Sequence, residues 1–234
     1  MYTVDLLKAL LSAVIGITIS LCGCTSSGPP SLDAREQAKL EEKRKSRVEE
    51  LARMNNTQLA TSLAADSEKG VEPFNSMAYR ELVSRGDKAA TELKETLKAP
   101  NRSSFLGLLA LRKVSPDQYK TLDANLRARI LVDSLRTSQN FNAWGIPHLF
   151  WEDGAKAIID EGPAIEEPLV ELLKDKARAP IWGSEGAVEQ QKYGYRVCDY
   201  AWALLNEIRK TKVEIPVNPA DRDKLIEPLL KDGR

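Results

Sequence analysis

The sequence predicts an all-α protein, a solenoid of antiparallel helix pairs with irregular spacing and long loops, and three observations carry that expectation. From residue 57 onward, apolar residues recur at helical spacing rather than alternating as they would in half-buried strands. Gly86, Gly154, Gly162, Pro116, Pro163 and Pro180 fall between these stretches, where helices stop and start. The third observation is an internal echo. The segment AYRELVSRGDKAATELKETLKA (78–99) reappears in outline as GAKAIIDEGPAIEEPLVELLKD (154–175).

Placing Gly86 on Gly162 aligns Leu82 with Ile158, Val83 with Ile159, Leu93 with Leu169, Leu97 with Leu173 and Lys98 with Lys174. The offset is 76 residues, twice 38, and a weaker half-offset copy marked by Leu131 and Leu135 lies at 116–137. A period near 38 built of helix pairs is the signature of stacked repeats. A single pair cannot bury its apolar face alone, so neighbours must shield one another. Helices are expected over 57–66, 74–85, 88–98, 103–113, 117–136, 153–161, 164–174, 192–209 and 221–231.

Upstream of this domain the composition changes. Residues 31–54, SLDAREQAKLEEKRKSRVEELARM, are rich in strong helix formers but carry only Leu32, Leu40, Val48 and Leu51 as sizeable aliphatics. A solvated helix supported by i,i+4 pairs such as Glu41/Lys45 is expected. Residues 9–21, ALLSAVIGITISL, form an apolar run of 13, too short for a membrane span of roughly 20 residues but the length of a signal h-region. The run ends in Leu21-Cys22-Gly23-Cys24, which resembles the bacterial lipobox. That resemblance implies a diacylglyceryl group on Cys24, cleavage before it, and a chain anchored at a membrane surface, facing the periplasm or the cell exterior. The expected organisation is thus a signal peptide over 1–23, a lipid-anchored linker with the charged helix over 24–56, and a helical repeat domain over 57–234.

A second resemblance rests on Gly162-Pro163-Ala164, Leu169, Leu172-Leu173-Lys174-Asp175, then Arg196-Val197-Cys198-Asp199-Tyr200-Ala201, Leu204-Leu205 and Ile208. This pattern is similar to a HEAT-type repeat, with a weaker match at Leu93, Leu97-Lys98, Phe105-Leu106, Leu109-Ala110-Leu111 and Val114. The loop 176–191 is longer than that family's usual turn. The resemblance implies a scaffold or a partner-binding surface.

Composition narrows the chemistry. Lys+Arg and Asp+Glu both number 34, so no positive surplus favours nucleic acid. His148 is the one histidine, which excludes a multi-histidine zinc site, and neither a nucleophile elbow nor a phosphate-cradling glycine motif occurs. No catalytic residue, metal or cofactor is therefore assigned. The acid pairs Glu152/Asp153 and Glu166/Glu167 fall at helix starts, where they complement the macrodipole. Cys198, in an apolar-periodic stretch, reads as a buried thiol, and Arg196 and Asp199 as an i,i+3 structural pair.

Aromatic residues are unevenly placed. Nine of the 14 lie between 141 and 202, including all four tryptophans. Tyr200 and Trp202 sit on helical spacing, whereas Trp144, Trp151, Trp182, Tyr193 and Tyr195 lie in or beside two long loops together with His148. Loop tryptophans and tyrosines serve either as a local core or as a recognition surface. The expected function is a lipid-anchored envelope module that binds a protein or peptide through this loop-rich half. The alternative is an envelope enzyme, or enzyme accessory, acting on a glycan or small molecule at the same loops.

Overall fold

A computed structural model describes residues 32–97 and 99–232, and among these the protein is all-α, with two isolated β-bridges and no strand. The lipobox and Cys24 lie outside the described residues. None of the described helices is long and apolar enough to cross a membrane. The chain divides into two units at Arg44/Lys45. The first unit contributes the beginning of α1 (Leu32–Arg53), whose residues 33–44 are all solvent-exposed, Leu40 included. Low apolar content, not disfavoured helicity, keeps this stretch on the surface.

The second unit holds the end of α1 and then α2 (Asn56–Glu68), α3 (Met77–Arg85), α4 (Ala90–Thr96) and α5 (Phe105–Val114). These are followed by α6 (Pro116–Lys120), α7 (Ala124–Arg136), α8 (Asp153–Glu161), α9 (Glu166–Leu172), α10 (Ser184–Tyr193), α11 (Val197–Ile208) and α12 (Pro219–Asp232). Local chemistry sets the starts. Asn55 and Gln58 form a reciprocal capping box on α2, Ser76 caps α3 through the Tyr79 amide, and Asp123 caps α7 through the Leu126 amide.

The order α2 to α5 is repeated in α7 to α11, apart from the inserted α10. α2 and α7 each have 13 residues, α3 and α8 nine, and α4 and α9 seven. A four-residue 3-10 turn joins α3 to α4 at Gly86–Ala89 and α8 to α9 at Gly162–Ile165. Gly86 (φ 60°, ψ −144°) and Gly162 (φ 60°, ψ −140°) end their helices in one conformation, in a region of backbone space essentially reserved for glycine. The packing is repeated too. α4 lies on α5 as α9 lies on α11, α3 contacts α5 as α8 contacts α11, and α2 packs on α3 and α4 as α7 packs on α8 and α9.

α11 is the centre of the second set. Every residue from Val197 to Asn206 is buried, so the helix is surrounded on all sides, consistent with its apolar circumference. Each large side chain enclosed this way contributes about 1.5–3 kcal/mol of transfer free energy.

The sequence reading departs from the structure at three boundaries. The expected helix 117–136 is two helices separated at Thr121–Asp123, because Asp123 takes extended-side backbone angles and caps a new start. The expected helix 192–209 begins at Val197 instead. Gly194 adopts a left-handed conformation that ends α10, and Tyr195-Arg196 run extended, with Arg196 bridging to Arg178. The expected loop 176–191 contains most of α10, whose polar sequence gives no apolar stripe.

Candidate functional site

The two sets of helices differ mainly in their connections. The eight residues 69–76 between α2 and α3 correspond to the sixteen residues 137–152 between α7 and α8. The eight residues 97–104 between α4 and α5 correspond to the 24 residues 173–196 between α9 and α11. Both expansions fall in the second set, and both carry the loop aromatics.

These two insertions converge and are clamped together. The Phe141 amide donates to the Pro180 carbonyl at 2.8 Å. Asn142 and Trp182 exchange hydrogen bonds: the Trp182 amide donates to Asn142 Oδ1 at 2.8 Å, and Asn142 Nδ2 donates to the Trp182 carbonyl at 2.9 Å. The Trp182 indole N–H reaches the Gln139 carbonyl at 3.3 Å. On the far side of the Phe141–Trp144 turn, the Ile146/Leu149 bridge folds a tight hairpin back so that Leu149 and Trp151 follow directly.

The six aromatic and histidine positions divide by burial. Trp144 and Tyr195 are interior, at 1% and 0% exposure, so neither ring offers a face to a partner. Trp144 stacks on Phe105 of the first set at 5.0 Å, and Gly154 makes room, since a Cβ there would lie 3.1 Å from both rings. Its indole N–H donates to Ser138 Oγ at 3.2 Å. Tyr195 packs edge-on to Tyr200, and Tyr200, itself buried, donates to the Gly145 carbonyl at 2.9 Å. Burial raises the Tyr195 phenol well above its usual range, with the Glu189 carboxylate adding to the effect.

Trp151 and Trp182 are the exposed pair, at 46% and 63%; Leu149, two residues before Trp151, and Val188 on α10 are also exposed. Trp182 is held at its backbone and at its indole nitrogen while most of its ring faces solvent. Tyr193 is partly buried and stacks flat on Tyr195 at 4.9 Å, with Lys192 over its outer face. His148 is exposed, and its Nδ1 lies 3.2 Å from the Tyr195 hydroxyl, joining the first insertion to the second. Asp153 does not share that location. It pairs with Lys113 across a cleft that His148 does not line.

The second insertion is tied down by a buried charge cluster that the sequence hints at only through Arg196 and Asp199. Asp199, fully buried, accepts from the Arg196 amide and guanidinium as the N3 residue of a capping box. It also meets Arg222 of α12, itself fully buried, at 3.0 Å. Arg222 continues to the carbonyls of Pro216, Val217 and Tyr193. Arg196 is held far into its charged form by Asp199 and Asp223. No sequence pattern links position 222 to 199; only the tertiary fold does. Cys198 is buried beside this cluster, and burial, then the Asp199 charge, pushes its thiol up to about 12.

Among the described residues no cluster of three or more His, Cys, Asp or Glu is placed to hold a metal ion. No family model, characterised protein or solved structure matches the chain.

Proposed function

We propose that this chain is a lipid-anchored protein of the bacterial cell envelope, a HEAT-like α-solenoid that binds a protein or peptide partner through its two insertions. The observation that carries this reading is the pair Trp151 and Trp182, exposed on segments cross-braced by the Asn142–Trp182 exchange. A rigid, solvent-facing tryptophan loses little conformational entropy on association and buries a large area, which is the character of binding hot spots. The helix sets, repeated in length and in turn geometry, support the solenoid reading, because such pairs are stable only when stacked. Attachment follows from the Leu21-Cys22-Gly23-Cys24 motif and needs nothing from the folded surface.

Two experiments test the reading. Labelling cells with a radioactive fatty acid should mark the wild-type chain and not Cys24→Ser. Crosslinked capture from intact cells should recover a partner with the wild type and lose it with Trp151→Ala/Trp182→Ala, the variant remaining folded. A partner retained at full yield by that variant would remove the insertions from the proposal.

A further inference from the structure

We infer that the cleft between the two helix sets is a second binding site, for a short peptide or amino-acid-like zwitterion with both ends free. It is a half-open cavity of about 450 Å³, within the range of small-molecule sites. One wall comes from α5 and α6 and carries Arg112, Lys113 and Lys120; the other comes from α8 and carries Asp153 and Asp160. Charge is therefore segregated by wall, cations on one side and carboxylates on the other. The base is less polar: Leu109 and the Tyr119 ring lie there, with Pro116 and Ala164 at the edge.

Two further groups in the cleft are already committed. Glu161, with its side chain 4% exposed, holds Arg127 through paired contacts at 2.9 and 3.1 Å to Nε, and accepts from the Tyr119 hydroxyl. They form a fixed back wall. The rim pairs are different. Asp160, which pairs with Arg112, is 63% exposed, and the Lys113–Asp153 contact is 3.5 Å long between half-exposed side chains. Solvent screens both pairs at their exposed partners, so opening them costs little.

This arrangement selects its ligand. A simple anion would meet the carboxylates of α8, and a simple cation would meet the three cations opposite. A peptide with both ends free can exchange partners at the rim: its carboxylate takes Arg112 and Lys113, and its ammonium takes Asp160. Each end of the ligand then meets side chains of opposite charge, and its body covers Leu109 and Tyr119.

Neither Trp151 nor Trp182 lines this cleft, and the test keeps the two sites separate. Isothermal titration of the full chain with trialanine should give saturable binding. N-acetyl-trialanine and trialanine amide should each bind about tenfold or more weakly, each having lost one end's ion pairing. Lys113→Glu/Lys120→Glu should weaken trialanine to a similar extent, and 0.5 M salt should do the same. Asp160→Asn should weaken the free peptide but leave the N-acetyl form unchanged. Trp151→Ala/Trp182→Ala should bind trialanine as the wild type does. Equal binding of free and end-blocked peptides, absence of binding up to 10 mM trialanine, or wild-type affinity in the folded Lys113/Lys120 variant would overturn the assignment.

Discussion

Arg85 and Arg127 satisfy equivalent sets of backbone carbonyls from non-equivalent positions. Arg85 donates to the carbonyls of Leu51, Ala52 and Met54 at the end of α1. Arg127 donates to those of Tyr119, Lys120 and Leu122 at the end of α6. The two trios are 68 residues apart, the same offset as α2 and α7. The repeat therefore extends to the helix ends that precede each set, and a guanidinium fills the unsatisfied carbonyls of both. In the first set the arginine stands at the end of α3. In the second, the matching position is Glu161, which instead grips an arginine supplied by α7.

This difference predicts unequal mutational costs. Arg85→Ala removes carbonyl hydrogen bonds near the surface and should cost about 1–2 kcal/mol in urea unfolding. Arg127→Ala also strands the buried Glu161 carboxylate and should cost about 3–5 kcal/mol. Adding Glu161→Gln to Arg127→Ala should recover part of the loss, the coupling expected of direct contacts. Equal losses at 85 and 127 would contradict the added role given to the Arg127–Glu161 pair.

Gly86→Ala and Gly162→Ala should be destabilising by similar amounts, about 1–3 kcal/mol each. In neither case would the new Cβ meet another atom within 4 Å, so the cost is backbone strain alone. Thermal denaturation of both variants checks this, and a clear difference between them would show that the two turns are not the same device.

The tryptophans should separate into two classes. Trp144→Ala empties a buried site stacked on Phe105 and should cost about 3–5 kcal/mol, whereas Trp182→Ala should cost under about 1 kcal/mol. Quenching of tryptophan fluorescence by acrylamide should likewise fall most in a Trp151/Trp182 double variant.

The Asp223 carboxyl is held below its usual 3.8, first by the hydrogen bond from Arg196 and also by Lys176. A depressed folded-state value stabilises the protein above the unfolded-state value, and the benefit is lost as pH falls through the folded-state one. Asp223→Asn should therefore lower stability at pH 6 by at most about 1 kcal/mol, the group being partly exposed, and the difference should vanish in strong acid. A gap that grew on acidification would give the wrong sign.

How much of this was legible in the sequence depends on the range of the interactions. The Gly86/Gly162 echo was readable because it depends on local backbone chemistry, and both glycines end nine-residue helices in one conformation. The expansions at 137–152 and 173–196 were visible as aromatic-rich loops. Which rings face outward was not, because Trp144 is buried by Phe105, nearly forty residues away, and Tyr195 by Tyr200 and α12. α10 escaped because a polar helix flanked by Gly183 and Gly194 has the composition of a loop. Asp123 was the readable signal for the break at 121–123; the apolar periodicity running through it masked the cap.

Site-specific photocrosslinking in intact cells tests the partner-binding account most directly, with the probe placed in turn at Trp151, Trp182 and, as an exposed apolar control on α12, Leu225. The account predicts one shared crosslinked species from positions 151 and 182 and none from 225. The same species at equal yield from all three positions, or none from either tryptophan, would contradict it.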